Sequence, residues 1–463
     1  MLDNLFYPKT VAIIGASQDP SKIGNAVLRN MIDSGYAGKI IPINPSSPEV
    51  MGLKCHPSMD DLESAPDLAV IALPANRVYE ALSTCVKKGV NFVIVIAGGF
   101  SELGKEGKER EQQMKRLITN TSTRIIGPNT LGVYFPHSGV NTSLTSRGMI
   151  SFLPKGNIAF VSQSGALGLL TMDAVSEYNV GISAFLNLGN RIDLNEVELL
   201  DYFASDKNTK SIVVYLESVP KGREFFDKVK LVSQEKPVII LKSGRTQESA
   251  VAASLHTGAM ASNDAIVDGA ISQSGAVRAF DEIEMIDYGR VLAYSGKLRG
   301  DRIAILTTAG GVGVITADYV SSSVNGVGLK MAKLSDGTKS KIKEVIVPFA
   351  SANNPIDLTA DGSIADFDRV IGILENDENV DGIIVYPLPQ TPRMGVGVVD
   401  VIDKYKNEKK PIVVGVLGSQ IAKDLIVEFE KRKIPAYPSV HRTVKAVKAL
   451  RVYSAYIERR GSQ

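Results

Sequence analysis

Short apolar runs rich in Val and Ile recur along the chain, separated by longer segments whose apolar residues fall at helical spacing. The runs are TVAIIGAS, KIIPINP, LAVIALP, FVIVIAGG, RIIGPN, NIAFVSQSG, SIVVYLES, PVIILKSG, RIAILTTAGG, GIIVYPLP and PIVVGVLG. Strands alternating with helices in this way predict α/β layers with parallel sheets. Nearly every run ends in Gly, Ser, Asn or Pro, so ligands are expected at the carboxyl ends of the strands. Glycine, proline and serine punctuation from GPNTLGVYFP to LPKGN closes a first domain, and YSGKLRGDR near residue 298 separates a second from a third. The expected domains are a Rossmann-like one over residues 1–130 and flavodoxin-like ones over 150–295 and 298–460.

The second and third domains read as a repeat. Ile158-Ala159-Phe160-Val161 with Gly165, Gly168, Thr171 and Asp173 returns at a constant offset as Ile303-Ala304-Ile305-Leu306 with Gly310, Gly313, Thr316 and Asp318. VVYLES and EKPVIILKSG return in the same order as IVYPLP and KKPIVVGVLG. Two similar flavodoxin-like layers follow from this order. Only the first copy runs on into the insertion TQESAVAASLHTGAMASNDA.

At 463 residues the chain is long enough for several domains, each with its own core. Its 52 basic and 50 acidic side chains nearly cancel, which implies neither a nucleic-acid nor an acidic-membrane partner. Two cysteines, Cys55 and Cys85, are too few for a disulfide framework and lack zinc-site spacing, which points to a reducing cytoplasm and no metal site. The N-terminus lacks an apolar signal region, and no apolar run approaches the roughly 18 residues of a membrane span.

Three strand-to-helix turns carry candidate chemistry. In VAIIGASQDPSKIGNAVLRNM, Gly15 and Gly24 frame a turn that opens a helix and offers backbone N–H groups to a phosphorylated ligand; packing of strand against helix is the alternative use. The second strand ends at Ile43-Asn44-Pro45, where an NAD-binding domain offers an acid to the ribose. That favours a different nucleotide-bearing cofactor. In VSQSGALG, Ser162, Ser164, Gly165 and Ala166 form a second candidate anion site at a helix N-terminus, and in TTAGGVGV Ala309, Gly310 and Gly311 form a third.

Of the four histidines, His56, His137 and His441 lie in polar turns or at the start of a terminal helix, where solvated or structural roles are expected. His256 sits instead among Ala, Ser and Gly in a segment too small-sided to pack a core and too long for an ordinary connection. A nucleophilic histidine needs a group to hold its second ring nitrogen, and Glu217, at the end of IVVYLES, is either that group or a solvated strand-end acid.

Together these motifs resemble the ADP-forming acyl-CoA synthetases, relatives of succinyl-CoA synthetase, and most closely the alpha-subunit type of acetyl-CoA synthetase (ADP-forming). The elements are IIGASQDPSKIGN, IAGGFSELG, IIGPNTLG, SQSGAL, the acid of YLES, SLHTGAMA, and TTAGGVGV with NNPIDLT. The resemblance implies a coenzyme A site on Gly15, Ser17, Lys54, Ile96, Gly98 and Asn129. It also implies a phosphohistidine at His256, steadied by Glu217, and a first phosphate site on Ser162, Ser164 and Gly165. The implied reaction is a relay in which acyl-CoA and phosphate give an acyl phosphate, whose phosphoryl group passes to His256 and then to ADP. No ATP-grasp region is found, so ADP and Mg2+ are expected mainly on a beta-type partner subunit in a hetero-oligomer. A third domain distinguishes the chain from the succinyl-CoA synthetase alpha subunit and favours acetate over succinate, with branched-chain and aryl acids as alternatives. The rival readings are an NAD-dependent dehydrogenase, disfavoured by Asn44-Pro45, and a non-catalytic coenzyme A-binding regulatory protein, which leaves SLHTGAMA without a use.

Overall fold

The computed structural model describes residues 2–144, 152–249, 263–322, 328–406 and 409–461. They fall into two compact units, Met1–Glu177 with Gly181–Ser274, and Tyr178–Val180 with Gly275–Gln463.

The first unit begins with a parallel sheet of β1 (Thr10–Ile14), β2 (Lys39–Ile43), β3 (Leu68–Ile71), β4 (Phe92–Val95) and β5 (Arg124–Ile126), in the order β2-β1-β3-β4-β5. Helices α1 (Ile23–Asp33), α2 (Ala75–Lys88) and α3 (Lys105–Ile118) form the crossovers. Residues 68–71 are buried at every position because helices cover both faces, and so the strand reads as unbroken apolar sequence. The chain turns in opposite directions from β1, to β2 on one side and β3 on the other, which opens a crevice at their carboxyl ends.

A second sheet follows from β6 (Val133–Phe135), β7 (Val140–Asn141), β8 (Lys155–Ser162), β9 (Ile182–Asn187), β10 (Ser211–Leu216) and β11 (Val238–Lys242). Within this unit its strands run β11-β10-β8-β9-β6-β7, parallel from β11 to β9 and antiparallel beyond. Helices α4 (Gly165–Glu177), α5 (Glu196–Ser205), α6 (Gly222–Val232) and α7 (Asp264–Ser274) belong to this layer. Here the reversal lies between β8 and β10, and Ser162 pairs with Tyr215 where the two strands end.

The two sheets of this unit are joined through residues 188–195, which run along the end of β5. Arg124 forks onto the Asp193 carboxylate with bonds of 2.9 to 3.1 Å, and Asp193 also accepts the Ile125 N–H at 2.7 Å. Backbone bonds from Asn190 to Pro128 and from Leu194 to Ile125 continue the seam. Gly189, at φ +57°, lets this segment pass so close that an added Cβ would stand 2.3 Å from the Pro128 carbonyl. Phe6 stacks on Tyr202 at 3.9 Å between ring centroids, tying the N-terminal turn to α5.

The second unit is built on β12 (Arg302–Thr307), β13 (Lys330–Met331), β14 (Ile356–Asp357), β15 (Gly382–Tyr386), β16 (Ile412–Gly415) and β17 (Ala436–Tyr437). Its parallel sheet runs β13-β12-β15-β16-β17, with β14 pairing onto β12. Two long helices, α8 (Glu282–Tyr294) and α10 (Val440–Gly461), pack together, and α9 (Gly310–Ser321) follows β12 as α4 follows β8. Arg290 is wholly buried in this unit. Its Nε donates to Glu430 at 2.9 Å and its Nη2 to the Ala436 carbonyl at 2.7 Å, so the buried charge is paired. Arg442 forks onto Asp287 in the same cluster.

Candidate functional site

The β1/β3 crevice of the first sheet is a cleft of about 860 Å³ whose wall includes Gly15, Ser17, Asn44, Leu73, Pro74 and Gly98. The Gly15 N–H donates to the Ile43 carbonyl at 3.0 Å and the residue adopts φ +91°, a left-handed backbone that places the turn between β1 and α1. The Lys22 side chain makes no capping bond at the start of α1, while the Lys22 carbonyl accepts the Asn25 N–H at 3.0 Å as the first bond of the helix. Asn25 holds the loop by donating to the carbonyls of Ser17 and Gln18 at 2.9 and 3.0 Å. Asn44 donates to the Ala16 carbonyl at 2.8 Å, so an amide engaged with the glycine turn stands at the end of β2. Lys54 is separate from this wall: it is exposed on the short hairpin strand Leu53–Lys54, paired with Glu49–Val50.

A second cleft of about 750 Å³ lies between the two sheets of the same unit. Ile96, Gly98 and Asn129 line it from the first sheet, and Ser164, Gly165, Ala166 and Glu217 from the second. Ile23, Ala97 and Gly98 line both clefts, which makes them neighbours along one wall. Ser162 is set beneath the turn, its Oγ donating to the Ser164 carbonyl at 2.7 Å. The N-terminus of α4, at Gly165 and Ala166, thus opens into the cleft and supplies partial positive charge there.

Four polar residues of this cleft were not singled out by sequence reasoning. Gln163, in the middle of SQSG, accepts the N–H groups of Glu217 at 2.7 Å and Ser218 at 3.1 Å. Arg191 donates to Glu196 at 2.8 Å and to Ser218 Oγ at 2.8 Å. Asn190 donates to Ser101, Glu102 and Glu111 at 3.1, 3.0 and 2.7 Å. Glu102 accepts the Phe100 N–H at 3.0 Å and that of Gly99; burial raises its pKa, but these bonds and that from Asn190 outweigh it and hold the carboxyl below its usual value. None carries a local sequence signal beyond lying next to a glycine turn. The Tyr215 hydroxyl is pushed upward, first by burial and then by the neighbouring Glu217 carboxylate, with Ser243 opposing.

His256 lies outside the described residues. His137 Nε2 is 2.9 Å from the Gly156 carbonyl and the His441 ring is 5.4 Å from Tyr319, contacts that serve local packing. In the second unit, Ala309, Gly310 and Gly311 open α9, where the Ala309 N–H donates to Thr307 Oγ1 at 2.9 Å. The Asp357 carboxylate stands against this turn, so that a Cβ added to Gly310 would meet its Oδ2 at 2.5 Å, whereas Gly311 faces open space. Among the described residues no cluster of three or more His, Cys, Asp or Glu could hold a metal ion, and no helix is long and apolar enough to cross a membrane.

Three family models match the chain in order: a CoA binding domain over residues 9–136, a succinyl-CoA ligase like flavodoxin domain over 155–292, and a ligase-CoA domain over 303–457. The alpha subunit of acetate–CoA ligase (ADP-forming) I from Pyrococcus furiosus is 36% identical over 98% of each chain. An acetate–CoA ligase (ADP-forming) from Methanocaldococcus jannaschii is 36% identical over 98% of this chain, a match spanning 63% of its own length. Among solved structures, acetyl-coenzyme A synthetase 1 of Ca. Korarchaeum cryptofilum, in complex with phosphate and ADP, superposes with a TM-score of 0.90 at 36% identity and 99% coverage of both chains. Full-length likeness to an alpha subunit, on three matching domains in one order, shows that the chain belongs to the ADP-forming acyl-CoA ligase family.

Proposed function

We propose that the chain is the alpha-type subunit of an ADP-forming acyl-CoA ligase, most simply one for acetate, that binds coenzyme A in its first domain and carries a phosphoryl group on His256. The observation that supports this reading best is the cleft between the two sheets of the first unit. One wall holds Ile96, Gly98 and Asn129 beside the coenzyme A crevice; the other holds the N-terminus of α4 and Glu217. A thioester carried in from the first crevice would meet phosphate at Ser164, Gly165 and Ala166, where helix N–H groups stabilise the charge that develops.

In the first step a phosphate oxygen forms the new C–O bond, the C–S bond breaks, and the coenzyme A thiolate leaves with the electron pair. In the second step a ring nitrogen of His256 forms a P–N bond as the bridging P–O bond breaks and acetate leaves. The proton remaining on the other ring nitrogen is held by Glu217, which steadies the positive charge of the phosphorylated ring. ADP and its Mg2+ then belong to a beta-type ATP-grasp partner, in keeping with the name of the Pyrococcus relative and with the greater length of the Methanocaldococcus one. Ala309, Gly310 and Gly311, at the N-terminus of α9 beside the Asp357 carboxylate, are a further candidate phosphate site.

The test is incubation with acetyl phosphate without ADP, followed by mass spectrometry at alkaline pH. A phosphoryl group on His256 is expected, abolished by His256→Ala with coenzyme A binding unchanged. Phosphorylation elsewhere, or ATP synthesis by this chain without a partner, refutes the assignment.

A further inference from the structure

In the second sheet of the first unit, β8 and β10 run in register until Ser162 faces Tyr215, after which the Gln163 N–H still reaches the Tyr215 carbonyl at 3.3 Å. There β8 turns into α4 and can offer β10 no further backbone. The chain runs on past the end of β10 through Glu217 and Ser218, whose N–H groups would otherwise meet no acceptor on that side. The Gln163 side chain takes over. Its Oε1 accepts both N–H groups, at 2.7 and 3.1 Å, and its Nε2 donates to the Ser218 carbonyl at 3.0 Å. A carboxamide has the donor and acceptor of a peptide unit, so it extends the ladder where the main chain has left. Gln163 is 7% exposed, which leaves little water to compete for these bonds.

On its other side β10 is held by β11, and the N–H of Ser243, just beyond β11, donates to the Leu216 carbonyl at 3.0 Å. Arg191 adds a bond to Ser218 Oγ at 2.8 Å. The backbone that carries Glu217 is therefore clamped to the same turn that presents Ser164 and Gly165. The three side-chain bonds described for Gln163 all go to residues 217 and 218.

We propose that Gln163 is the positioning residue for Glu217: it sets the distance between that carboxylate and the α4 N-terminus, and so the geometry in which the phosphoryl group is accepted. This rests on the role of Glu217 proposed above. It goes further in naming what fixes that role.

The test uses the full chain. Gln163→Asn keeps the carboxamide but draws it back by one C–C bond, about 1.5 Å, so it cannot span to β10. Gln163→Leu removes the amide at similar size, and the Asn variant serves if the Leu variant does not fold. Hydrogen exchange resolved by fragmentation is expected to rise at the Glu217 and Ser218 amides in either variant. Phosphorylation by acetyl phosphate is expected to slow on the order of 10- to 100-fold, with coenzyme A affinity unchanged. The Gln163→Asn/Glu217→Gln double variant is expected to be no slower than Glu217→Gln alone, a non-additivity that a general loss of stability would not produce. Unchanged exchange at 217 and 218, or additive effects in the double variant, overturns the proposal while leaving the role of Glu217 standing. A Glu217→Gln chain phosphorylated at the wild-type rate overturns both.

Discussion

Replacing Gly24 by alanine places one methyl group where the first crevice has no room for it. Gly24 is the second residue of α1, and a Cβ there would stand 1.9 Å from the Gly15 carbonyl oxygen, 2.7 Å from its carbon and 3.2 Å from the Ala16 Cα. All three are backbone atoms, so no rotamer change relieves the clash. To reach even the 3.0 Å that real Cβ contacts respect, helix and turn must separate by about 1.1 Å. The turn is itself closely packed, since a Cβ on Gly15 would stand 2.7 Å from the Ala72 carbonyl. Backbone of the helix or of the turn has to move. Overpacking of this kind costs about 1–3 kcal/mol of stability. Losing one charge-assisted bond from the helix N-terminus to a phosphate costs a further 1.5–3 kcal/mol of binding, roughly a 10- to 100-fold rise in Kd. Titration calorimetry with coenzyme A and thermal unfolding read the two effects separately. Gly222→Ala, a position with nothing within 4 Å, is the control for substitution in a helix. Wild-type Kd and Tm in Gly24→Ala would show that the turn and helix do not touch as described, and the crevice would lose its claim to the cofactor.

Gly269 lies inside α7 with open space around its Cβ direction, so Gly269→Ala is expected to stabilise the first unit by about 0.5–1 kcal/mol in denaturant unfolding; destabilisation would mean that the helix is not solvated on that side. In the second unit, burial tends to raise the Asp381 pKa, but hydrogen bonds from Arg302 outweigh it and hold the carboxyl below its usual value. A depressed folded pKa adds stability above the unfolded value of about 3.9, and that stability is lost as pH falls through the folded one. Asp381→Asn is therefore expected to cost about 1 kcal/mol at pH 7, discounted for the exposure of Arg302, with the gap from wild type closing below about pH 4. A gap that is the same in urea unfolding at pH 7 and pH 3 contradicts this.

The layered architecture was legible because parallel strands buried on both faces leave unbroken apolar runs, and because each run ends in the small residues that a strand-to-helix turn demands. The repeat of Gly165 and Gly168 as Gly310 and Gly313 was legible for the same reason: close helix–strand packing tolerates little else at those positions. The Gly313 Cβ direction, for example, ends 3.1 Å from Pro355 and 3.2 Å from Thr307. Asn44 at the end of β2 was readable as a departure from an acid, and the structure turns it onto the Ala16 carbonyl.

Which turns face one another was not legible. Gly98 and Asn129 meet Gly165 and Glu217 only because residues 188–195 are laid along β5 by the Arg124–Asp193 fork, a pairing of residues 69 apart in sequence. Gln163 and Arg191 look like ordinary loop residues in the chain, and their bonds to residues 217 and 218 exist only where β8 and β10 end side by side. The two glycine turns look alike in sequence, yet one opens into a cleft and the other holds Asp357 against its helix. Periodicity and turn chemistry are local, so a single stretch of sequence records them. The partner of a polar side chain depends on which strand ends the fold brings together, and that depends on the packing of the whole unit.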